Sequence, residues 1–159
     1  MSDPGADFLA ALQRALIAAQ YFPESTYRVQ FHAGFTFQDA LQIVPYLHEL
    51  GITHLYASPL LQARPGSTHG YDITNHQTFN PELGTADDYE ALCLALQSHG
   101  MGQILDIVPN HMGIVGNANQ WWRDVLENGP ASPYSGFFDI AWYDSPRVEM
   151  HERLLLPSL

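Results

Sequence analysis

The sequence predicts an α/β fold in which short parallel strands alternate with helices. Two observations predict this class. Short runs rich in β-branched and aromatic residues recur along the chain, and helical segments with clear start and stop signals separate them. A helix between two strands provides the crossover that parallel neighbours need, and such crossovers are right-handed. The 159 residues are enough for one ordinary domain.

The first half of the chain contains two predicted helices and one predicted strand. Apolar residues at helical spacing predict an amphipathic helix over 6–20, and the run TYRVQF predicts a strand over 26–31. The motif TFQD at 36–39 is a capping box that opens a second helix, which ends near Leu50. Pro45 lies inside this helix and should kink it, but the start and stop signals agree.

A long connection follows the second predicted strand and precedes the third. Residues 52–57 predict a strand, and the connection over 58–84 is rich in Pro, Gly, Ser, Thr and Asn. A long loop inside a compact domain is usually functional. The motif TADD at 85–88 opens another helix that ends near His99, and QILDIV at 103–108 predicts a buried strand that contains an aspartate.

The regular alternation of helices and strands stops after the third strand. The segment 117–143 is aromatic and is predicted to be loop-like, and the chain ends on an apolar run over 154–159. Three strands cannot close a (β/α)₈ barrel, which needs eight strands and about 250 residues. The sequence therefore predicts either a small open α/β sheet or the front part of a longer fold.

Composition and charge exclude several classes of function. Seventeen acidic against six basic residues give a net charge of −11, which opposes nucleic acid and anionic membranes. A single cysteine, Cys93, excludes a disulfide framework within the chain and cysteine-rich zinc sites. No run has the length of a membrane span, and no glycine-rich phosphate motif occurs, so we expect a cytoplasmic protein without a nucleotide cofactor.

Polar side chains gather where two predicted strands end. Asn110 and His111 follow the third strand, and Asp106 lies inside that strand, two residues before its end. Tyr71 and Asp72 lie in the long loop after the second strand. Ligands of parallel α/β folds bind at this end of the strands. A tyrosine ring can stack on a sugar, and a carboxylate can accept hydrogen bonds from hydroxyls.

Each of these residues also has an ordinary structural interpretation. A buried carboxylate such as Asp106 needs a partner and could pair with an arginine for packing alone. His111 could be a loop histidine bonded to backbone, and Asp72 could cap a turn. A divalent ion held by His69, Asp72, His76 and His111 is a weaker hypothesis because none forms a helical histidine pair, so we predict no metal site.

Three motifs resemble the α-amylase superfamily, glycoside hydrolase family 13. DIVPNH at 106–111 resembles the first conserved region of that superfamily, at the end of the third barrel strand. GYD at 70–72 resembles the loop after its second strand, and NPELGT at 80–85 resembles the segment before its next helix. The resemblance implies that the chain contains the first three β/α units of a (β/α)₈ TIM barrel, incomplete in this chain, plus the start of an inserted subdomain.

A closer resemblance points to one branch of the superfamily. STYRVQF at 25–31, YASP at 56–59, GSTHGYD at 66–72 and WWRDVLENG at 121–129 are similar to the trehalose-forming branch. Such enzymes convert the reducing-end α-1,4 link of a maltooligosaccharide into an α,α-1,1 link with retaining chemistry. A carboxylate nucleophile and a carboxylic acid about 5 Å apart carry this chemistry. No residue here matches either group, so we expect the isolated chain to be inactive.

The resemblance also implies a role for each candidate residue. Tyr71 would stack under the sugar at the cleavage subsite, and His111 would hydrogen-bond its hydroxyls. Asp106 would orient an arginine, which in the family comes from the fourth-strand region, and Asn110 would brace the loop. Asp72 would make a further polar contact with the maltooligosaccharide.

The resemblance implies a division of the chain and leaves two departures. The implied parts are an N-terminal helix and lead-in over 1–24, a partial barrel over 25–113 and an inserted subdomain beginning at 114–159. The remainder of the barrel is expected C-terminal to residue 159. Asn75 and Ala141 stand where the family usually has acids. Another glucanotransferase or hydrolase of the superfamily, or a non-catalytic carbohydrate-binding remnant, are the alternative functions.

Overall fold

A three-stranded parallel sheet is the centre of the fold in the computed structural model, which describes residues 9 and 22–154. The elements in chain order are β1 (Thr26–Val29), α1 (Phe37–Glu49), β2 (His54–Ala57), β3 (Leu61–Ala63), β4 (Ile73–Phe79), α2 (Ala86–Ser98), β5 (Gly102–Leu105) and α3 (Gln120–Asn128). The sheet has the order β1-β2-β5, and both pairs are parallel. This confirms the predicted parallel neighbours. The helix predicted over 6–20 lies outside the described residues, apart from Leu9.

Both crossover helices begin at their predicted capping boxes. The Thr36 hydroxyl accepts a hydrogen bond from the Asp39 backbone N–H, and the Asp39 carboxylate accepts one from the Thr36 backbone N–H in return. Thr85 and Asp88 repeat this exchange at the start of α2. Each box satisfies N–H groups that the first helical turn leaves without partners. Helix α1 continues through Pro45 to Glu49.

The two helices cover one face of the sheet and form the core with it. Val29, Leu55 and Ala57 point from the strands into this core, where they are almost fully buried. Their helical partners are equally buried and include Phe37, Ala40, Val44, Leu47, Leu92 and Leu96. Because side chains alternate across a strand, residues such as Arg28 and Tyr56 project from the opposite face.

The long connection between β2 and α2 contains a hairpin that the sequence analysis did not predict. Strands β3 and β4 pair antiparallel, with register shifts on both sides of Gln62. These irregularities and the polar composition of β4, ITNHQTF, hide the alternation that normally marks a strand. The hairpin carries the chain out over the carboxyl ends of the parallel strands.

The third parallel strand differs from its prediction in length and burial. It ends at Leu105, so Asp106 lies just beyond the strand rather than inside it, although its backbone N–H still donates to the Ala57 carbonyl at 2.9 Å. Leu105 is 47% exposed and Ile107 is 70% exposed. The expectation of a buried strand was wrong because β5 is an edge strand among the described residues, with a neighbour on one side only.

The aromatic segment also contains more regular structure than predicted. Helix α3 begins after Asn119, whose side-chain oxygen accepts a hydrogen bond from the Trp122 backbone N–H at 3.0 Å. The prediction of a loop was wrong here because an asparagine cap and tertiary packing stabilise a helix of only nine residues. Three short 3₁₀ turns follow at Gly129–Ala131, Ser135–Phe137 and Val148–Met150.

The described part of the chain forms an open sheet, and no closed barrel is present in it. The proposed boundaries at residues 24 and 113 stay predictions. Within residues 22–154 and at residue 9, no helix combines the length and the apolar character that crossing a membrane requires.

Candidate functional site

A polar cluster occupies the sheet face opposite the helices. Arg28 of β1 reaches across the sheet and donates from Nη1 to the Asp106 carboxylate at 3.1 Å and from Nη2 to the Tyr71 hydroxyl at 2.9 Å. The Tyr71 hydroxyl in turn donates to the same Asp106 oxygen, Oδ2, at 2.5 Å. Three segments that are distant in sequence therefore meet in one closed triangle of hydrogen bonds at the carboxyl ends of the strands.

The electrostatics of this triangle keep Arg28 charged and the Tyr71 phenol neutral. The guanidinium carbon of Arg28 lies 4.6 Å from the centre of the Tyr56 ring, within cation–π range. Burial works against the charge of Arg28, but its hydrogen bonds to Asp106 and Tyr71 outweigh this, so its pKa is raised. The hydrogen bond to Asp106 is the largest cause of the raised pKa of the Tyr71 phenol. At neutral pH Tyr71 is therefore a neutral donor.

Among the described residues, the arginine that contacts Asp106 is Arg28 of β1, and the arginine of the fourth-strand region that the resemblance implied stays a prediction. Sequence reasoning missed Arg28, although a signal existed. In the run TYRVQF, alternation places Arg28 opposite the core residue Val29, and a charged residue on a sheet's second face needs a partner there. Asp106 fulfils this need with a side chain that is 16% exposed.

Asp72 serves the loop that presents Tyr71. Its carboxylate accepts hydrogen bonds from the Ser67 hydroxyl at 2.5 Å and from Arg64 Nε at 3.2 Å. Burial acts to raise the pKa of Asp72, but hydrogen bonds from the Ser67 hydroxyl, from the Asp72 backbone N–H and from Arg64 outweigh it, so the net shift is downward. The Ser67 hydroxyl also accepts from the Gly70 backbone N–H at 3.1 Å. Both carboxylate oxygens of Asp72 therefore contact donors of the hairpin loop.

His111 links the two loops of the site. Its Nε2 lies 3.1 Å from the Tyr71 carbonyl oxygen and its Nδ1 lies 3.1 Å from Asn110 Oδ1. The His69 ring also stacks on the tyrosine ring, at 6.0 Å between centroids and an angle of 16°. The structure thus brings Tyr71, Asp106 and His111 together, with Asn110 supporting His111 as a neighbour in sequence.

A close backbone approach holds these loops at a fixed distance. The Gly113 N–H donates to the Ile73 carbonyl at 2.7 Å. A Cβ atom at Gly113 would lie 2.8 Å from the Asp72 carbonyl oxygen. Only glycine leaves room for this contact, which joins the loop of His111 to the loop of Tyr71.

The remaining candidates take part in local structure. His76 Nε2 lies 3.0 Å from the Val108 carbonyl oxygen, and Asn75 bonds within the hairpin to the Gln77 N–H at 2.9 Å. Among the residues that the structure describes, no group of three His, Cys, Asp or Glu side chains is arranged to hold a metal ion. Ala141 is exposed.

Comparison with known proteins places these features in a wider context. Residues 22–158 match the family described as "Alpha amylase, catalytic domain". A "Putative maltooligosyl trehalose synthase" of Mycobacterium tuberculosis (strain ATCC 25618 / H37Rv) is 52% identical over 142 residues, which are 85% of this chain and 18% of that protein. An "Intracellular maltogenic amylase" of Bacillus subtilis is 33% identical over 107 residues, which are 67% of this chain and 17% of that protein.

A solved structure gives the same result at the level of the fold. The maltooligosyltrehalose synthase from Arthrobacter ramosus superposes with a TM-score of 0.74 at 49% identity. The superposition covers 76% of this chain and 16% of that one. The matched regions make up 18% and 17% of the lengths of the two curated relatives described above. The match therefore spans less than a fifth of either protein.

Proposed function

Because the chain belongs to the α-amylase catalytic-domain family, we propose that it supplies one side of a sugar subsite in a trehalose-forming enzyme. The proposed substrate is a maltooligosaccharide, and the proposed reaction converts its reducing-end α-1,4 link into an α,α-1,1 link. The identity of 52% over 142 residues to a putative maltooligosyl trehalose synthase supports this choice within the family.

The observation that carries the proposal is the anchored position of Tyr71 beside His111. The Tyr71 residue is 37% exposed, while its hydroxyl is held by Arg28 and Asp106. A sugar ring presents apolar C–H groups on its faces, and an aromatic ring fixed in orientation is a suitable platform for them. His111 is exposed and lies against the Tyr71 backbone carbonyl, and exchanging one of its two present ring-nitrogen contacts for a sugar hydroxyl would let it bind the same sugar.

The supporting residues keep this platform in place. Asp106 fixes the Tyr71 hydroxyl, and Asn110 contacts the second nitrogen of His111. Asp72 was expected to contact the substrate. Its contacts with Ser67 and Arg64 support a role in shaping the loop, and its contact with the substrate stays a prediction.

The bond-breaking groups are proposed to lie in other parts of the longer protein. Retaining chemistry needs one carboxylate free to attack and one carboxylic acid free to protonate, about 5 Å apart. Asp106 is occupied by Arg28 and Tyr71, and Asp72 is occupied by Ser67 and Arg64, so neither is presented as such a group. The chain alone is therefore expected to bind glucan without converting it.

Calorimetric titration with maltopentaose tests the proposal. We expect Tyr71→Ala to weaken binding about tenfold, which is about 1.4 kcal/mol. Tyr27→Ala is the matched control, because Tyr27 is 43% exposed and lies outside the triangle. Equal affinities of the two variants would contradict the role of Tyr71. Formation of a trehalose-ended product by the purified chain would contradict the claim that the reacting carboxylates lie elsewhere.

A further inference from the structure

Two histidines meet where the crossover helices α1 and α2 end. His48 lies in the last turn of α1, and His99 caps the C-terminus of α2. Their ring centroids are 5.3 Å apart, with an angle of 63° between the ring planes. We propose that this histidine pair binds a divalent transition-metal ion of the zinc, nickel or copper class and joins α1 to α2. The inference goes beyond the proposed function and does not depend on it.

The separation of the two rings fits a shared metal ion. A metal bound to histidine lies about 2.0 Å from the ring nitrogen, and a tetrahedral ion joining two rings would place their centroids about 5 Å apart. The observed 5.3 Å is close to this value, so the backbones of α1 and α2 need not move. His48 is exposed, and its ring can turn towards a bound ion by rotation of its side chain alone.

Hydrogen bonding already prepares His99 as a ligand. Its Nδ1 lies 2.9 Å from the Ala95 carbonyl oxygen, and a carbonyl only accepts, so the proton of the neutral ring is on Nδ1. Nε2 then carries the lone pair that a metal needs. A second-nitrogen bond of this kind orients histidine ligands in metal sites. Among the residues that the structure describes, the His48 ring has no hydrogen-bond partner, so both of its nitrogens are open to a ligand.

The electrostatics at this end of the helices favour a cation. The last turn of an α-helix carries about half an elementary negative charge on its unpaired carbonyl groups. Helices α1 and α2 run in the same direction, since Gln38 at the start of α1 donates to Asp88 at the start of α2 at 2.7 Å. Their negative ends therefore adjoin at the histidine pair. No lysine or arginine lies in either helix, so a metal ion meets no competing positive charge from them.

The type of ligand indicates which ions the pair would bind. Imidazole nitrogen suits zinc, nickel and copper, whereas magnesium and calcium prefer oxygen ligands. With two histidines, water occupies the remaining coordination positions. The pair shares no residue with the sugar subsite or with the four residues considered for a metal in the sequence. An ion bound to both rings would hold the ends of α1 and α2 together and would stabilise the folded state by mass action.

Thermal unfolding of the full 159-residue chain, purified without a histidine tag, tests the site. Unfolding is followed with zinc chloride and with magnesium chloride for the wild-type chain, His48→Gln and His99→Gln. His151→Gln is the matched control, because it removes a histidine whose Nε2 contacts the Ser145 carbonyl at 2.9 Å in another part of the chain. Calorimetric titration of the wild-type chain with zinc chloride gives the Kd. Electron paramagnetic resonance of bound copper(II) detects coordinated imidazole nitrogens.

At a free zinc concentration about ten times the Kd, the Tm of the wild-type chain and of His151→Gln should rise by about 4 °C. An affinity about tenfold lower in His48→Gln or His99→Gln would reduce this rise to about 1 °C, and magnesium should give none. The copper spectrum should show two nitrogen ligands. Unfolding curves without metal verify that each variant is folded.

Three results would each overturn the inference. They are no zinc-dependent rise of Tm in the wild-type chain, an undiminished rise in either His48→Gln or His99→Gln, and a copper spectrum with a single nitrogen ligand. None of them bears on the Tyr71 subsite, which titration with maltopentaose tests separately.

Discussion

Replacing Arg28 by methionine is the sharpest test of how the site is held together. Methionine keeps an unbranched side chain of similar length but removes the charge and all five donors. The substitution deletes the contact to Asp106 at 3.1 Å, the contact to the Tyr71 hydroxyl at 2.9 Å and the cation–π contact with Tyr56. The hydrogen bond from Tyr71 to Asp106 remains, so the triangle opens without being removed entirely.

The expected cost follows from these three contacts. The side chain of Arg28 is 35% exposed, so solvent screens its ion pair, which contributes about 0.5 kcal/mol. The hydrogen bond to the phenol oxygen contributes about 1 kcal/mol. The cation–π contact at a partly exposed position adds about 0.5 kcal/mol. We expect the free energy of unfolding to fall by about 2 kcal/mol, which corresponds to a Tm lower by roughly 6 °C.

Urea denaturation of the purified chain measures this change. Arg123→Met is the matched control, because Arg123 forms an exposed helical ion pair with Glu127 at 3.8 Å, and its loss should cost below about 0.5 kcal/mol. A double-mutant cycle with Asp106→Asn should give a coupling energy of about 1 kcal/mol. If Arg28→Met is no more destabilising than Arg123→Met, or if the coupling energy is zero, Arg28 does not hold the triangle together.

Two further predictions concern packing and pH. Gly113→Ala should lower the free energy of unfolding by more than about 1 kcal/mol in urea denaturation, because the new methyl group meets the Asp72 carbonyl oxygen. Gly136→Ala, with nothing within 4 Å of its added Cβ, should not, and equal effects would contradict the close approach. Burial raises the pKa of the Tyr89 phenol above its value of 10.0 in the unfolded chain. The neutral phenol therefore makes its full contribution to stability below about pH 10, and this contribution is lost as the pH rises from there through the higher pKa of the folded state. Tyr89→Phe should therefore reduce the loss of Tm from about pH 10 upward, and an unchanged slope of Tm against pH would contradict this account.

Local chemistry explains why the helices and the strand order were predictable. The capping boxes at Thr36 and Thr85 act within four residues, so they are visible in the sequence and appear in the structure unchanged. The parallel order of β1, β2 and β5 follows from the length of each crossover, which leaves few other topologies. The candidates Tyr71, Asp106 and His111 could be named because each lies near or beyond the end of a predicted strand, and these ends must lie at one edge of the sheet.

The features that the sequence analysis missed depend on partners far away in the chain. The β3–β4 hairpin pairs through an irregular register, so no local alternation marks it. Helix α3 is too short to be stable by propensity alone and depends on its cap and packing. The exposure of Leu105 depends on the number of neighbours that β5 has, which its own residues do not reveal.

The sequence by itself therefore determined the class of fold, the positions of the crossover helices and the family of the chain. These properties depend on periodicity, caps and short motifs, which are local. Only the tertiary structure decided that Arg28 contacts Asp106, that Asp72 accepts a hydrogen bond from Ser67 of its own loop and that Trp121 and Phe137 line one cleft with His111. Such contacts join residues up to 78 positions apart, and their geometry is set by how the whole sheet and its loops pack.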